Sequence, residues 1–154
     1  DLQAQFDLAR SVRDTLTSVH DLIRNIRSLR TQVKEIARRS EEADYSVDLQ
    51  SDCQDLVKKL TGLEEELIQT RSESSQDPIN YPVKLDNQYS YLYTVVHSQD
   101  AYPTRGCYER FEDLNQELAQ HRQQFSQLVA SDLKTFEQKI ESAGIPRLIM
   151  TVSP

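Results

Sequence analysis

The sequence predicts an all-α protein, an antiparallel up-down-up-down four-helix bundle with long, coiled-coil-like helices and a shorter third helix. Two observations lead to this fold class. The 154 residues include only three Gly and five Pro, so little interrupts long helices. Apolar residues also recur at helical spacing over long stretches. We expect residues 1–144 to form the bundle and residues 145–154 to form an apolar C-terminal tail that packs on it or on a neighbouring domain.

The first helix is predicted over about residues 2–38. Its apolar positions recur with a mean step of about 3.4 residues, close to the 3.5 of a heptad repeat. A helix with this pattern buries one stripe against its partners. The predicted stripe is Leu2, Phe6, Ala9, Val12, Leu16, Val19, Ile23, Ile26, Leu29, Val33 and Ile36.

A second helix is predicted over about residues 46–71, with Asp44 or Ser46 as its N-cap. Its core stripe is Leu49, Cys53, Leu56, Leu60, Leu63 and Leu67. Residues 1–39 contain eight bases and five acids, whereas residues 40–80 contain three bases and eleven acids. This charge difference favours an antiparallel hairpin of the first two helices. Within the acidic stretch, the run Glu64 to Glu66 is interpreted as a solvated helix face.

The second half of the chain predicts a linker and two more helices. Pro78 and Pro82 exclude a helix interior over residues 72–83. A short third helix is expected over 84–98, although the alternation of Tyr89, Tyr91 and Tyr93 also fits a strand. The fourth helix should run from about 105 to 143, with Thr104 or Asp100 as its cap and Gly144 as its end. Its stripe is Tyr108, Phe111, Leu114, Leu118, His121, Phe125, Leu128, Phe136 and Ile140.

The sequence predicts no catalytic, cofactor-binding or metal-binding residue. The chain has no glycine-rich phosphate loop and no Glu-x-x-His pair for a metal site in a bundle. His97 and Asp100 could form an acid–base pair, but no nucleophile accompanies them. His20 is expected to be solvated, and His121 to be a boundary or hydrogen-bonded residue. The net charge of −7 argues against a nucleic-acid partner, and no apolar run is long enough for membrane insertion.

Tyrosines and cysteines are the remaining distinctive residues. Six of the seven tyrosines lie within residues 81–108, namely Tyr81, Tyr89, Tyr91, Tyr93, Tyr102 and Tyr108. They either fill one wide end of the bundle or form an interaction surface. Cys53 and Cys107 are either two buried thiols or a disulfide, and a disulfide would favour an exported protein.

Several segments resemble the C-terminal helical domain of bacterial sortilin-type or BNR-repeat proteins, which are similar to glycosyl hydrolases and contain a β-propeller. The resemblance lies in Ile79-Asn80-Tyr81-Pro82-Val83-Lys84-Leu85-Asp86-Asn87, Ser98-Gln99-Asp100-Ala101-Tyr102-Pro103-Thr104, the opening decapeptide from Asp1 to Arg10, and the stretch from Phe111 to Leu133. In such proteins the hydrolase label belongs to the propeller, which this chain lacks.

The resemblance implies a non-catalytic helical support or interaction domain, the C-terminal part of an exported protein, either periplasmic or extracellular. Its partners would be other domains of the same parent chain or another protein. The alternative is a periplasmic four-helix sensor domain that binds a small ligand between its helices. A third hypothesis, an enzyme acting through His97 and Asp100, requires a measured activity that His97→Ala abolishes. Because the sequence opens directly in a helical pattern, we expect either a segment of a longer protein or a mature chain.

Overall fold

The computed structural model describes residues 2–42, 49–71, 81–98 and 101–145. These residues are 87% helical, include no strand, and form an all-α four-helix bundle. The predicted fold class is therefore confirmed. Residues Tyr89, Tyr91 and Tyr93 lie in a helix, so the strand alternative is wrong for this segment.

The helices are α1 (Leu2–Glu42), α2 (Gln50–Leu67), α3 (Leu85–His97), α4 (Arg105–Leu128) and α5 (Lys134–Ser142). A single π-helical turn, Val129–Leu133, joins α4 to α5, so residues 105–142 are helical throughout, close to the predicted 105–143. Helix α2 is shorter than its predicted 46–71. Several residues named in the sequence analysis lie outside the described residues, namely Asp1, Asp44, Ser46, Pro78, Ile79, Asn80, Gln99 and Asp100.

The chain divides into two compact units, and each is described by itself. Unit 1 consists of residues 1–23 and 65–122, which include the start of α1, the end of α2, all of α3 and most of α4. Unit 2 consists of residues 24–64 and 123–154, which include the rest of α1, most of α2, the π-helical turn and α5.

In unit 1, α3 runs antiparallel to α1. The buried Gln5 donates from Nε2 to the carbonyl oxygens of Val96 (2.9 Å) and His97 (3.4 Å), at the end of α3. At the other end of α3, Asp86 lies 3.9 Å from His20. Carbonyls in the last turn of a helix lack partners within that helix, and Gln5 satisfies two of them. The predicted up-down-up-down order would make the first and third helices parallel, so the direction of α3 differs from that prediction.

The buried stripe at the start of α1 also differs from the prediction. Leu2 and Phe6 are 68% and 60% exposed, whereas Gln5 and Leu8 are buried. The positions Gln5, Leu8 and Val12 follow the alternating steps of three and four that a heptad requires. A polar residue therefore occupies the first core position, and the apolar residues beside it face solvent. From Val12 to Ile36 the predicted stripe is confirmed, with Leu16 only half-buried.

In unit 2, α1 and α2 are antiparallel, as the charge pattern predicts. Gln50 donates to the carbonyl of Ala37 (3.1 Å), and further along the pair Glu64 binds Arg27 and Arg30. The core combines α1, α2 and α5 with the π-helical turn between α4 and α5. Its apolar members include Ile26, Leu29, Val33, Ile36, Leu56, Leu60, Leu133, Phe136 and Ile140.

The π-helical turn explains a gap in the predicted stripe of the fourth helix. Steps of three or four from Leu128 would place the polar Ser131 or Asp132 on the core face. The turn adds one residue, which brings Leu133 to 1% exposure and leads into Phe136 and Ile140. The insertion therefore keeps the apolar stripe continuous across a five-residue spacing.

Gly144 ends α5, as predicted. Its φ is +74°, a value that favours glycine, and its N–H donates to Glu141 (3.1 Å). The N–H of Ile145 donates to Ile140 (2.9 Å), which completes a Schellman motif. Ile145, the first residue of the predicted apolar tail, is buried, and residues 146–154 are not among those described.

Candidate interaction site

The predicted tyrosine surface divides between core and exterior. Tyr89 is fully buried, and its hydroxyl donates to Asn115 Oδ1 at 2.9 Å. Its ring meets Phe111 edge-on, with centroids 6.3 Å apart. Burial raises the pKa of the Tyr89 hydroxyl, which keeps it a neutral donor. Tyr89 is therefore a core residue, and its predicted place in an exposed interaction surface is wrong.

The other tyrosines of unit 1 are accessible to different degrees. Tyr91 is 73% exposed and Tyr102 is 60% exposed, whereas Tyr81 and Tyr93 are half-buried. Tyr102 and Tyr108 form a tilted pair with ring centroids 6.4 Å apart. Successive residues on a helix point about 100° apart, which is why Tyr89 and Tyr91 have opposite environments although they are neighbours in the pattern.

A groove between α3 and the start of α4 includes Tyr91 in its lining. Its volume is about 710 Å³, and its wall includes Val83, Tyr91, Val95 and Cys107. Among the described residues that line it, Arg110 is the charged one, and its Nη2 donates to Gln88 Oε1 at 2.8 Å. We name this surface the α3–α4 groove. Its lining also includes polar side chains, namely Asn87, Gln88, Ser90, Thr94 and Thr104.

A second concave surface lies between the start of α1 and the end of α3. This α1–α3 cleft has a volume of about 360 Å³ and is lined by Leu2, Gln5, Phe6, Ala9, Arg10, Arg13, Tyr93 and His97. The rings of Tyr93 and His97 stack 5.4 Å apart with an interplanar angle of 11°. Asp14 lies beside both arginines, 2.7 Å from Arg13 and 3.7 Å from Arg10. The hydrogen bond to Asp14 raises the pKa of the Arg13 guanidinium.

Unit 2 contains a buried charge cluster that the sequence did not predict. Glu64, interpreted as part of a solvated acidic run, is only 3% exposed. Its carboxylate accepts hydrogen bonds from Arg27 and Arg30 of α1. Burial raises the pKa of Glu64, but these two hydrogen bonds outweigh that effect and hold the pKa below its ordinary value. The sequence spacing could have placed Glu64 on the core stripe of α2, because it lies four residues after Leu60 and three residues before Leu67.

The cysteines are buried and free, so the disulfide between Cys53 and Cys107 is not formed in this structure. Burial raises the pKa of Cys53 to about 11, which disfavours its reactive thiolate. The Cys107 sulfur lies 3.3 Å from the hydroxyl of Thr104, the residue that precedes α4. Both cysteines are therefore buried side chains with free thiols.

The histidines are not brought together into a site. His20 is exposed near Asp86, and His121 is buried with its Nε2 3.7 Å from a Glu117 carboxylate oxygen. His97 stacks on Tyr93 at the surface, and its predicted partner Asp100 lies outside the described residues. The described parts of the chain hold no group of three or more His, Cys, Asp or Glu that could bind a metal ion.

No protein-family model, curated protein or solved structure matches this chain. Among the described helices, none combines the length and the apolar composition that a membrane crossing requires.

Proposed function

We propose that this chain is a non-catalytic helical domain that packs against a neighbouring domain of one exported protein, the neighbour being a β-propeller. The observation that carries the proposal is the distribution of exposed apolar side chains. Across the described residues, the large hydrophobic side chains that are exposed all lie in unit 1: Leu2, Phe6, Val83, Tyr91, Tyr102 and Tyr108. The described part of unit 2 exposes none of this kind.

Such an uneven distribution supports a contact surface on unit 1. Single exposed apolar residues are common, but exposed apolar residues that line a concave groove, as Val83 and Tyr91 do, are typical of interaction sites. Tyrosine suits such a surface because its ring gives a large apolar contact while its hydroxyl remains hydrogen-bonded to solvent or partner. We therefore assign the contact to the α3–α4 groove, with Tyr91 and Val83 as the exposed apolar residues that line it.

The identity of the neighbour and the exported location come from the resemblance described above. Val83, Asn87 and Thr104, which belong to segments that carry part of that resemblance, line the groove. A domain with this role needs a stable core and one specific surface, and the proposal assigns it no catalytic residue.

The first experiment is to determine the reading frame that flanks this chain, which should encode propeller repeats upstream. The second measures binding of the separately produced upstream domain to the chain. Tyr91→Lys should weaken that binding because it places a charge in an apolar contact, whereas Gln54→Lys adds the same charge at an exposed position of α2 and should leave it unchanged. Equal binding by both variants, or an upstream region without propeller repeats, would refute the proposal.

The alternative, a periplasmic sensor domain, is favoured by one observation. The α1–α3 cleft has a volume within the range of small-molecule sites and lies between two helices, as a sensor site would. A sensor of this kind requires membrane helices on both sides of the domain. Membrane spans in the flanking reading frame would therefore favour the sensor over the propeller-associated domain.

A further inference from the structure

We propose that the α1–α3 cleft binds a small planar carboxylate, an anion with an aromatic or similarly flat apolar body. The proposal does not depend on the role assigned to the α3–α4 groove. It rests on three features of the cleft: an aromatic wall, exposed apolar side chains, and a cationic end.

The aromatic wall is the stacked pair Tyr93 and His97 on α3. The two rings lie four residues apart and stack nearly parallel, so each keeps one face that the other does not cover. Across the cleft, Leu2 and Phe6 of α1 remain mostly exposed to solvent. A flat apolar group between these walls would remove their apolar surface from water, which is the main favourable contribution to binding of this kind.

The cationic end is formed by Arg10 and Arg13. Asp14 pairs with both, so the three residues together retain one net positive charge. The side chains of both arginines are more than half exposed, which leaves donors on their guanidinium groups accessible to a ligand carboxylate. The carboxylate should avoid the end of the cleft beside His97, because the C-terminus of α3 carries partial negative charge.

The spacing along α1 fixes the shape of the ligand. Phe6 and Arg10 are four residues apart, and Phe6 and Arg13 seven, which corresponds to about 6 and 10 Å along the helix. The ligand therefore needs a flat body near Phe6 and a carboxylate several ångströms away. The cleft walls are held in place before binding, because Gln5 joins the two helices through its bonds to Val96 and His97.

A suitable probe is 2-naphthoate, with 2-naphthylmethylamine as a cation of similar shape. Ligand-observed NMR and calorimetry on the 154-residue chain should detect naphthoate with a dissociation constant on the order of 1 mM or lower. The amine should bind more weakly. Naphthoate binding should weaken as salt is raised towards about 1 M, because exposed charges are screened.

Three variants test the assignment of the residues. Arg10→Gln and Arg13→Gln should each raise the dissociation constant by about three- to fivefold, the value of one exposed ion pair. Phe6→Ser should abolish detectable binding, and its exposure means that the fold should be retained. Arg105→Gln is the matched control, since Arg105 is also an exposed arginine with an acid four residues later.

The proposal is overturned if naphthoate does not bind, if the amine binds equally well, or if Arg10→Gln binds like the Arg105→Gln control. Circular dichroism of each variant establishes that the helices are intact. An absence of naphthoate binding together with protection of Phe6 in the full-length protein would assign the cleft to a protein contact instead. None of these results bears on the Tyr91 experiment, so the two proposals can fail separately.

Discussion

Replacing Glu64 by glutamine tests the account of unit 2 most sharply. Glu64→Gln keeps the size of the side chain but removes the negative charge that Arg27 and Arg30 share. Breaking a buried ion pair typically costs about 3–5 kcal/mol. Here the Arg27 side chain is 50% exposed and the Arg30 side chain 21% exposed, so water can partly replace the carboxylate. We therefore expect the free energy of unfolding to fall by about 2–3 kcal/mol.

The assay is thermal and urea unfolding followed by circular dichroism. For a domain of this length the loss corresponds to a decrease of about 4–12 °C in melting temperature. Glu65→Gln is the matched control, because Glu65 is the adjacent acid and is only half-buried. It should change the free energy of unfolding by less than about 0.5 kcal/mol.

The pH dependence gives a second test of the same cluster. The pKa of Glu64 is below its ordinary value in the folded chain, so its stabilising effect is present above the unfolded pKa of about 4.3. The effect is lost as pH falls through the lower folded value. The difference in stability between wild type and Glu64→Gln should therefore shrink below about pH 4. A difference that is negligible at neutral pH, or that persists unchanged in acid, would refute the reasoning.

Three further predictions concern the core and the thiols. Leu114→Asp should lower the free energy of unfolding by at least about 3 kcal/mol because it places a charge at a fully buried position, whereas Gln116→Asp, at an exposed position, should melt like wild type. Tyr89→Phe should lower the free energy of unfolding, measured in urea, by about 0.5–1.5 kcal/mol because it removes the hydrogen bond to Asn115. An unchanged free energy of unfolding would contradict the buried position of the Tyr89 hydroxyl. Intact mass should show Cys53 and Cys107 with both thiol hydrogens, and alkylation of Cys53 should be slow until the chain is unfolded.

The fold class could be predicted because heptad spacing and few helix breakers leave little alternative to long helices. The direction of α3 could not be predicted from the sequence. The linker between α2 and α3 is long enough for the next helix to run in either direction. Leu2 and Phe6 fit the apolar spacing as well as core residues do. Only the pairing of Gln5 with the end of α3 shows that the buried stripe begins at a polar residue instead.

Tyrosine enrichment predicts an interaction surface within residues 81–108, and that stays a prediction. Composition alone cannot separate the buried Tyr89 from the exposed Tyr91. The arginines of the α1–α3 cleft gave no signal, because exposed arginines on a helix are common and only the structure places Arg10 and Arg13 beside an aromatic pair. The π-helical turn could have been predicted from the five-residue step between Leu128 and Leu133, because an α-helical stripe advances by three or four residues.

A neighbouring domain that covers the α3–α4 groove, as proposed above, should shield the side chains that line it. Tyrosine-directed covalent labelling, read by mass spectrometry, tests it by comparing the isolated chain with the full-length protein. We predict that Tyr91 is modified readily in the isolated chain and is protected in the full-length protein, while the buried Tyr89 stays unmodified in both. Equal labelling of Tyr91 in the two proteins would contradict this proposal.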